Sequence, residues 1–156
     1  MDRSAFDEIA FFKSIESLRA LLIGRRALVV LGLPVLTADY DFWIHIDDIA
    51  AFNKGAEAFG LLPTHTAEEA RARGRYVLQN DETVDVLVAR SIPTLDGGRV
   101  VFDEIWPRRR SVAVAGGVSV QVPSIDDLIA SKRVQPRPKD LEDIRLLQAL
   151  RDGGPS

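Results

Sequence analysis

Residues 21–44 of the chain read LLIGRRALVVLGLPVLTADYDFWI, and this stretch decides the fold. The apolar run at residues 20–23 stops at Gly24, as a short buried strand does. Residues 25–31 then have the composition of a short helix, and residues 37–46 that of a strand. The sequence therefore predicts a strand, a glycine turn, a short helix and a second strand.

The second predicted strand carries two acids. Side chains alternate along a strand, so Asp39 and Asp41 share one face. The opposite face is apolar and is predicted to meet a core through Tyr40, Phe42 and Ile44. Two carboxylates this close repel each other unless a cation lies between them, and Mg²⁺ prefers such oxygen ligands. An exposed edge strand with two solvated acids is the alternative interpretation.

A third acid, Asp85, occurs in TVDVLV at residues 83–88, where nearly all neighbours are apolar. Such a strand is expected in the interior of a sheet, where an unpaired carboxylate is costly. Asp85 therefore needs a partner, and a salt bridge to an arginine would supply one. A metal ion shared with the acidic pair explains the three acids together and is the interpretation that we favour.

The glycine turn is a candidate phosphate site. Free amides at a helix start, with a glycine that allows close approach, suit phosphate oxygens. Arg25 and Arg26 would add positive charge there. A purely structural turn at Gly24 is an equally good explanation.

The remaining elements predict a mixed β-sheet flanked by helices in a single domain of residues 1–152, followed by a tail of residues 153–156. Further helices are predicted at residues 4–18, begun by a capping box at Ser4 and Asp7, and at residues 47–59, 100–106, 124–133 and 138–151. Hairpins are predicted from residues 75–79 with 83–88, and from residues 111–115 with 118–122.

The composition is that of a globular protein, with 156 residues of which 46% are hydrophobic and 28% charged. The absence of cysteine excludes disulfides and thiolate metal sites. A net charge of −3 argues against a nucleic-acid binder that relies on bulk electrostatics, and the arginines within residues 71–75 and 108–110 are interpreted as solvated surface. Without a signal-like start or an apolar run of membrane-spanning length, a cytoplasmic location and no membrane partner are expected.

Residues 21–44 resemble the first motif of the nucleotidyltransferase superfamily with the DNA-polymerase-β-like fold. That motif has a strand, a Gly-Gly or Gly-Ser turn, a short helix and then Asp-x-Asp on the next strand. The resemblance gives Gly24 the turn position and makes Asp39 and Asp41 the paired metal ligands. Thr37 matches many small bacterial members, and Asp85 is similar to the third carboxylate. The implied fold is α/β (α+β), with a mixed sheet in one domain.

The C-terminal residues 124–150, SIDDLIASKRVQPRPKDLEDIRLLQAL, are similar to the ends of uncharacterised stand-alone members and of AbiEii-type toxins. This similarity implies a polar nucleotide-binding set of Lys132, Lys139, Asp140 and Asp143. The residues alone leave alternatives. Lys132 lies on the inward edge of its helix, which snorkelling explains as well as a phosphate contact does. The two acids lie in a first helical turn, where the helix dipole favours them.

One position departs from the family pattern. Arg25 stands where the family has a second glycine or a serine that holds the nucleotide phosphates. The arginine would either replace that contact with positive charge or block the close approach.

The resemblance implies transfer of a nucleoside monophosphate (NMP) from a nucleoside triphosphate (NTP) to a hydroxyl group, with Mg²⁺ or Mn²⁺. Asp39 and Asp41 would bridge two ions, and Asp85 would bind one ion and orient the attacking hydroxyl. The sequence does not identify the acceptor, and a small molecule, a tRNA and a protein are all candidates. A non-catalytic nucleotide- or partner-binding module and a toxin–antitoxin component are the alternative functions.

Overall fold

A computed structural model describes residues 6–134 and 136–153. In chain order the strands are β1 (Ala20–Ile23), β2 (Tyr40–Ile44), β3 (Leu62–Pro63), β4 (Arg75–Gln79), β5 (Thr83–Leu87), β6 (Ser91–Pro93), β7 (Arg99–Val101), β8 (Arg110–Ala113) and β9 (Ser119–Val122). The α-helices are α1 (Glu8–Ser14), α2 (Gly24–Val30), α3 (Ile49–Glu57), α4 (Ala67–Arg73), α5 (Phe102–Ile105), α6 (Ile125–Ser131) and α7 (Pro138–Arg151).

The central sheet has the strand order β1-β2-β5-β4-β3. The middle pair, β2 and β5, is parallel, and the other neighbours are antiparallel. β6 pairs with β7 and β8 pairs with β9 as separate two-stranded ribbons. The mixed, helix-flanked sheet predicted from the sequence is therefore confirmed.

Apolar side chains cover both faces of the sheet, but unequally. The larger core contains Tyr40, Phe42 and Ile44, which share one face of β2 as the alternation predicted. These side chains pack against helices that include α1 and α3. The other face has a smaller cluster, in which Leu21 and Trp43 meet Phe102. Because the smaller cluster covers only part of its face, space remains beside it for a cavity.

Two predicted elements are shorter than expected. The first helix spans Glu8–Ser14 rather than residues 4–18, and Asp7 caps it through the Ala10 amide; Ser4, the predicted cap, lies outside the described residues. The chain leaves the helix after Ser14 because it must enter β1 at Ala20. β2 begins at Tyr40 rather than at residue 37, because its pairing with β5 begins at Tyr40 opposite Val84 and its pairing with β1 reaches only Asp41.

A helix and several short strands were missed. α4 begins with a capping box between Thr66 and Glu69 and ends at Gly74, which has φ +81°. Both signals were present in the sequence. Within the predicted helical piece at 100–106, the first two residues instead belong to β7. No helix in the described part of the chain combines the length and apolar character needed to cross a membrane.

Candidate active site

A cavity of about 540 Å³ opens on the sheet face that carries the smaller apolar cluster. Its floor is the end of the β1 strand, the central strands β2 and β5, and the start of β4. The charged residues that line it are Asp41, Arg75, Asp85, Lys132, Arg137 and Asp140. Apolar groups such as Trp43 and Ile92 complete the wall. The cavity therefore combines converging charges with an apolar side, as small-molecule sites do.

Asp41 and Asp85 lie directly opposite each other on the parallel strands β2 and β5. Burial raises the pKa of Asp41 to about 6, and the charges of Asp85 and Asp39 add to the rise. Burial also raises the pKa of Asp85, while Arg75 opposes that rise. The two carboxylates are therefore held together against their mutual repulsion, and a cation would relieve it.

Gly24 lies against this carboxylate pair. Its φ of +66° falls in the left-handed region, and a Cβ atom at this position would lie 2.6 Å from Oδ2 of Asp41. Ile23, the residue before it, pairs with Asp41 across the sheet. The glycine is therefore required twice, by the backbone conformation and by the close approach to the carboxylate.

We predict that Gly24→Ala is more harmful than the same change at Gly97, which has φ +86° with no atom within 4 Å of a Cβ. Gly97→Ala carries only the backbone cost, about 1–2 kcal/mol. Gly24→Ala adds the collision with Asp41, so it should destabilise more and should also perturb the carboxylate pair. Urea unfolding of both variants measures the difference. Equal losses of stability would show that the carboxylate moves aside without cost.

Asp39 and Thr37 lie in the segment before β2. Asp39 is exposed and is outside the set of cavity-lining residues, although its charge raises the pKa of Asp41 and of Asp85. Its amide donates to Oγ1 of Thr37 at 3.0 Å. The segment therefore places the third acid beside the pair but not within the cavity wall.

Arg26 holds this segment in place, a role that the sequence did not reveal. Its guanidinium donates to the carbonyl oxygens of Thr37 at 3.1 Å and of Asp39 at 3.3 Å. The same group lies over the ring of Tyr40, with 4.1 Å between the guanidinium carbon and the ring centroid. Arg26 thus positions the backbone around Asp39, and it is not among the described residues that line the cavity.

Arg25 has a different partner from the one expected. Its guanidinium contacts both carboxylate oxygens of Asp143 in α7, with Nε at 3.2 and 3.1 Å and Nη2 at 3.0 Å from Oδ1. Its Nη1 donates to the carbonyl of Leu36 at 3.3 Å. Arg25 is not among the cavity-lining residues that the structure describes. The side chain therefore links α2 to α7.

Lys132 follows α6 and connects the ion-pair network to the cavity. Its Nζ donates to Oδ2 of Asp143 at 3.1 Å and lies 4.0 Å from Oδ1 of Asp140. Asp140 in turn accepts from the backbone and the side chain of Arg137, both at 3.0 Å. Lys139 is exposed, and its charge acts on Asp41 from a distance. The four C-terminal residues singled out by similarity are thus near the cavity, but Asp143 is buried behind its wall.

The carboxylate pair fits a divalent cation. Mg²⁺ in proteins is commonly bound through one or two carboxylates, with substrate phosphates and water completing its shell. Asp41 and Asp85 supply two such donors in one cavity. Among residues 6–134 and 136–153, however, no group of three or more histidine, aspartate or glutamate side chains is arranged to hold a metal ion. The structure thus offers a two-carboxylate site, with Asp39 at its edge.

Arg75 and Arg137 are cavity-lining residues that the sequence did not predict. Arg75 is exposed, as the sequence predicted. It also shares a sheet face with Asp85, because Val77 pairs with Asp85 and Arg75 is two residues from Val77. The predicted hairpin register contained this information. Arg108, also assigned to solvated surface, binds Asp127 with Nε–Oδ2 and Nη2–Oδ1 distances of 3.0 and 2.9 Å.

No protein-family model matches the sequence, and no curated protein matches it. Solved structures do resemble it. The solution structure of the antibiotic-resistance factor ANT(2'')-Ia, an aminoglycoside nucleotidyltransferase, has a TM-score of 0.62 at 16% identity. The match covers 91% of this chain and 80% of that one. Its crystal structure with adenylyl-2''-tobramycin gives 0.61 at 17% identity, over 91% and 86%. A candidate nucleotidyltransferase of Thermotoga maritima gives 0.54 at 14% identity, over 92% and 87%.

These likenesses extend over nine-tenths of the chain, so they concern the whole arrangement of strands and helices rather than one motif. Two of the three structures, both of ANT(2'')-Ia, have TM-scores above 0.6. At identities of 14–17% such similarity establishes the fold. The chain is therefore a small, single-domain protein with the nucleotidyltransferase fold.

Proposed function

We propose that the protein transfers an NMP group from an NTP to a hydroxyl group of an acceptor. The observation that carries this proposal is the pairing of Asp41 with Asp85 in one cavity beside the close-approaching Gly24. The fold of the neighbours supports nucleotidyl transfer as the general chemistry. The charge and shape of the cavity then suggest how the residues divide the work.

The reaction forms a bond between the acceptor oxygen and the α-phosphorus, and breaks the bond from the α-phosphorus to the bridging oxygen. Pyrophosphate leaves, and the acceptor hydroxyl loses its proton. In this proposal Asp85 orients the acceptor hydroxyl and accepts its proton. Asp41 lies opposite and, with Asp85, holds the cation.

A divalent ion, Mg²⁺ or Mn²⁺, bound there would neutralise negative charge on the phosphates. Lys132 lines the same cavity and supplies a fixed positive charge there, and Asp143 and Asp140 hold it in place. Arg25 and Asp143 therefore act by positioning Lys132 rather than by touching the nucleotide. Thr37, Asp39 and Lys139 remain proposed contacts at the cavity rim, where the triphosphate or a second ion would reach them.

We predict metal-dependent incorporation of labelled NMP when the protein is incubated with an NTP, Mg²⁺ or Mn²⁺ and a panel of hydroxyl acceptors. The adenylylated tobramycin in one structural neighbour makes an aminoglycoside an informative member of the panel. A thermal-shift screen should first identify the NTP, because a ligand at a hundred times its Kd stabilises the folded state by about 2.7 kcal/mol. Chelation of the metal should abolish both signals.

A non-catalytic nucleotide-binding module is the second candidate. The position of Asp39 outside the cavity wall favours it, as does the lack, among the described residues, of a three-residue metal cluster. Stabilisation by NTP and metal without incorporation into any acceptor would support this candidate. The toxin–antitoxin assignment stays a prediction, which the neighbouring gene would test.

A further inference from the structure

Three cationic side chains, Arg75, Lys132 and Arg137, line the cavity, but they differ in how far carboxylates of the protein already neutralise them. Lys132 is within 4.0 Å of both Asp140 and Asp143, and Arg137 binds Asp140. The Arg75 side chain forms no hydrogen bond or ion pair with a carboxylate among the described residues of the chain. The charge of Arg75 nevertheless interacts with Asp85, because it opposes the rise of the Asp85 pKa. Arg75 is therefore the cavity cation that is free to meet a ligand.

The sheet order places Arg75 on one side of the cavity. β4 is separated from β2 by β5, so Arg75 is two strands from Asp41, whereas Gly24 adjoins Asp41 on its other side. Arg75 pairs with Leu87 and is the diagonal neighbour of Asp85. Diagonal neighbours on adjacent strands are roughly 7–8 Å apart, within reach of a long side chain. Arg75 thus lies beyond Asp85, away from the glycine turn.

In the proposed reaction the triphosphate lies on the side of Gly24 and Lys132, and the acceptor hydroxyl lies at Asp85. A group that extends from the acceptor past Asp85 therefore meets Arg75. An arginine guanidinium presents a planar set of donors that suits phosphate and carboxylate groups. A cationic group at the same place would be repelled.

We propose that Arg75 determines acceptor specificity by binding an anionic group, a phosphate or a carboxylate, of the molecule that carries the accepting hydroxyl. This inference rests on the proposed nucleotidyl transfer for the identity of the acceptor side. It makes the acceptor an anionic hydroxyl compound. Apolar groups on the same wall, among them Leu87 and Ile92, would pack against the carbon skeleton of that compound.

The test compares four related sugars as acceptor probes: glucose, glucose 6-phosphate, glucuronate and glucosamine. Their Kd values are measured by calorimetry on protein saturated with a non-hydrolysable ATP analogue and Mg²⁺, so that the triphosphate site is filled. Glucose 6-phosphate or glucuronate should bind about tenfold or more tightly than glucose, as a charge-assisted hydrogen-bonded pair predicts, and glucosamine should bind no better than glucose. Which of the two anions binds better identifies the phosphate or the carboxylate as the natural group.

Arg75→Gln should remove this preference while leaving the affinity for the ATP analogue unchanged. Arg71→Gln is the matched control, because Arg71 is an exposed arginine of α4 that does not line the cavity. Equal affinities of the wild type for charged and neutral sugars would overturn the proposal. So would a parallel loss of ATP-analogue affinity in Arg75→Gln, since Arg75 would then serve the nucleotide. If the wild type does not bind the ATP analogue, the proposed function fails, and the same sugar comparison without nucleotide still tests Arg75.

Discussion

Replacing Asp41 with asparagine should lower NMP incorporation by about a hundredfold or more, while the variant stays folded. Asparagine keeps the shape of the side chain but removes one of the two charges that the cation site requires. Loss of one fixed electrostatic group at a reacting phosphate is expected to have an effect of this size. Thermal-shift titration with NTP and metal should show that the metal-induced stabilisation is lost as well. Normal activity in this variant would exclude the carboxylate pair as the catalytic centre.

The same substitution should also change how stability depends on pH, in a way that distinguishes carboxylate repulsion at Asp41 from a structural salt bridge. Folding raises the pKa of Asp41 from 3.8 to about 6, so the folded state holds its proton more tightly than the unfolded state between these values. The metal-free wild type therefore loses stability as the pH rises from about 4 to 6, by roughly 2 kcal/mol. Asp41→Asn should remove this loss and be as stable as the wild type, or more stable, at pH 7. A variant less stable than the wild type at pH 7 would indicate instead that Asp41 forms a structural ion pair with a cationic side chain.

Replacing Asp143 with asparagine should destabilise the protein by about 3 kcal/mol. The side chain is fully buried and lies between two cations, with Arg25 Nη2 at 3.0 Å and Lys132 Nζ at 3.1 Å. Without the negative charge these two cations repel each other, and Lys132 stays buried with only the more distant Asp140 as a partner. Urea unfolding with an unchanged m-value measures the loss.

Glu142→Gln is the matched control for this variant. The Glu142 side chain is 63% exposed, and its Oε1 lies 3.9 Å from Nη2 of Arg25. The Glu142→Gln variant therefore removes one negative charge next to Arg25, as Asp143→Asn does, but from an exposed position. An exposed ion pair contributes little, and the control should change stability by about 0.5 kcal/mol or less. Equal effects at the two positions would mean that the network contributes through general charge balance. A small effect at Asp143 would show that the helix packing alone fixes α7.

The carboxylate pair illustrates what could be predicted locally. Period-two alternation placed Asp41 on the face opposite Tyr40 and Phe42, and the structure has this arrangement. The apolar setting of Asp85 predicted a central strand, and β5 is indeed in the middle of the sheet. Both predictions succeeded because alternation and burial depend on a few neighbouring residues. The same reasoning placed Asp39 on β2, but Asp39 lies before that strand. Alternation could not predict this, because the start of β2 depends on the strands with which it pairs.

Arg25 and Arg75 show where local reasoning stops. The partner of Arg25 is 118 residues away in sequence, so only the packing of α2 against α7 brings the buried Asp143 to its guanidinium. Arg75 is exposed, as predicted, but the pairing of β4 with β5 also makes it a cavity-lining residue, which the sequence did not predict.

The sequence by itself determined the strand, glycine turn, helix and strand of residues 20–44, the mixed sheet, and the carboxylates Asp41 and Asp85 at the centre of the candidate site. These features can be read from short-range patterns of apolar, acidic and glycine residues, which involve only neighbours in the chain. Only the tertiary structure decided which cation neutralises which acid and which one stays available to a ligand. That choice depends on distances between residues far apart in the chain, because the energy of a charge is set by the groups that surround it after folding.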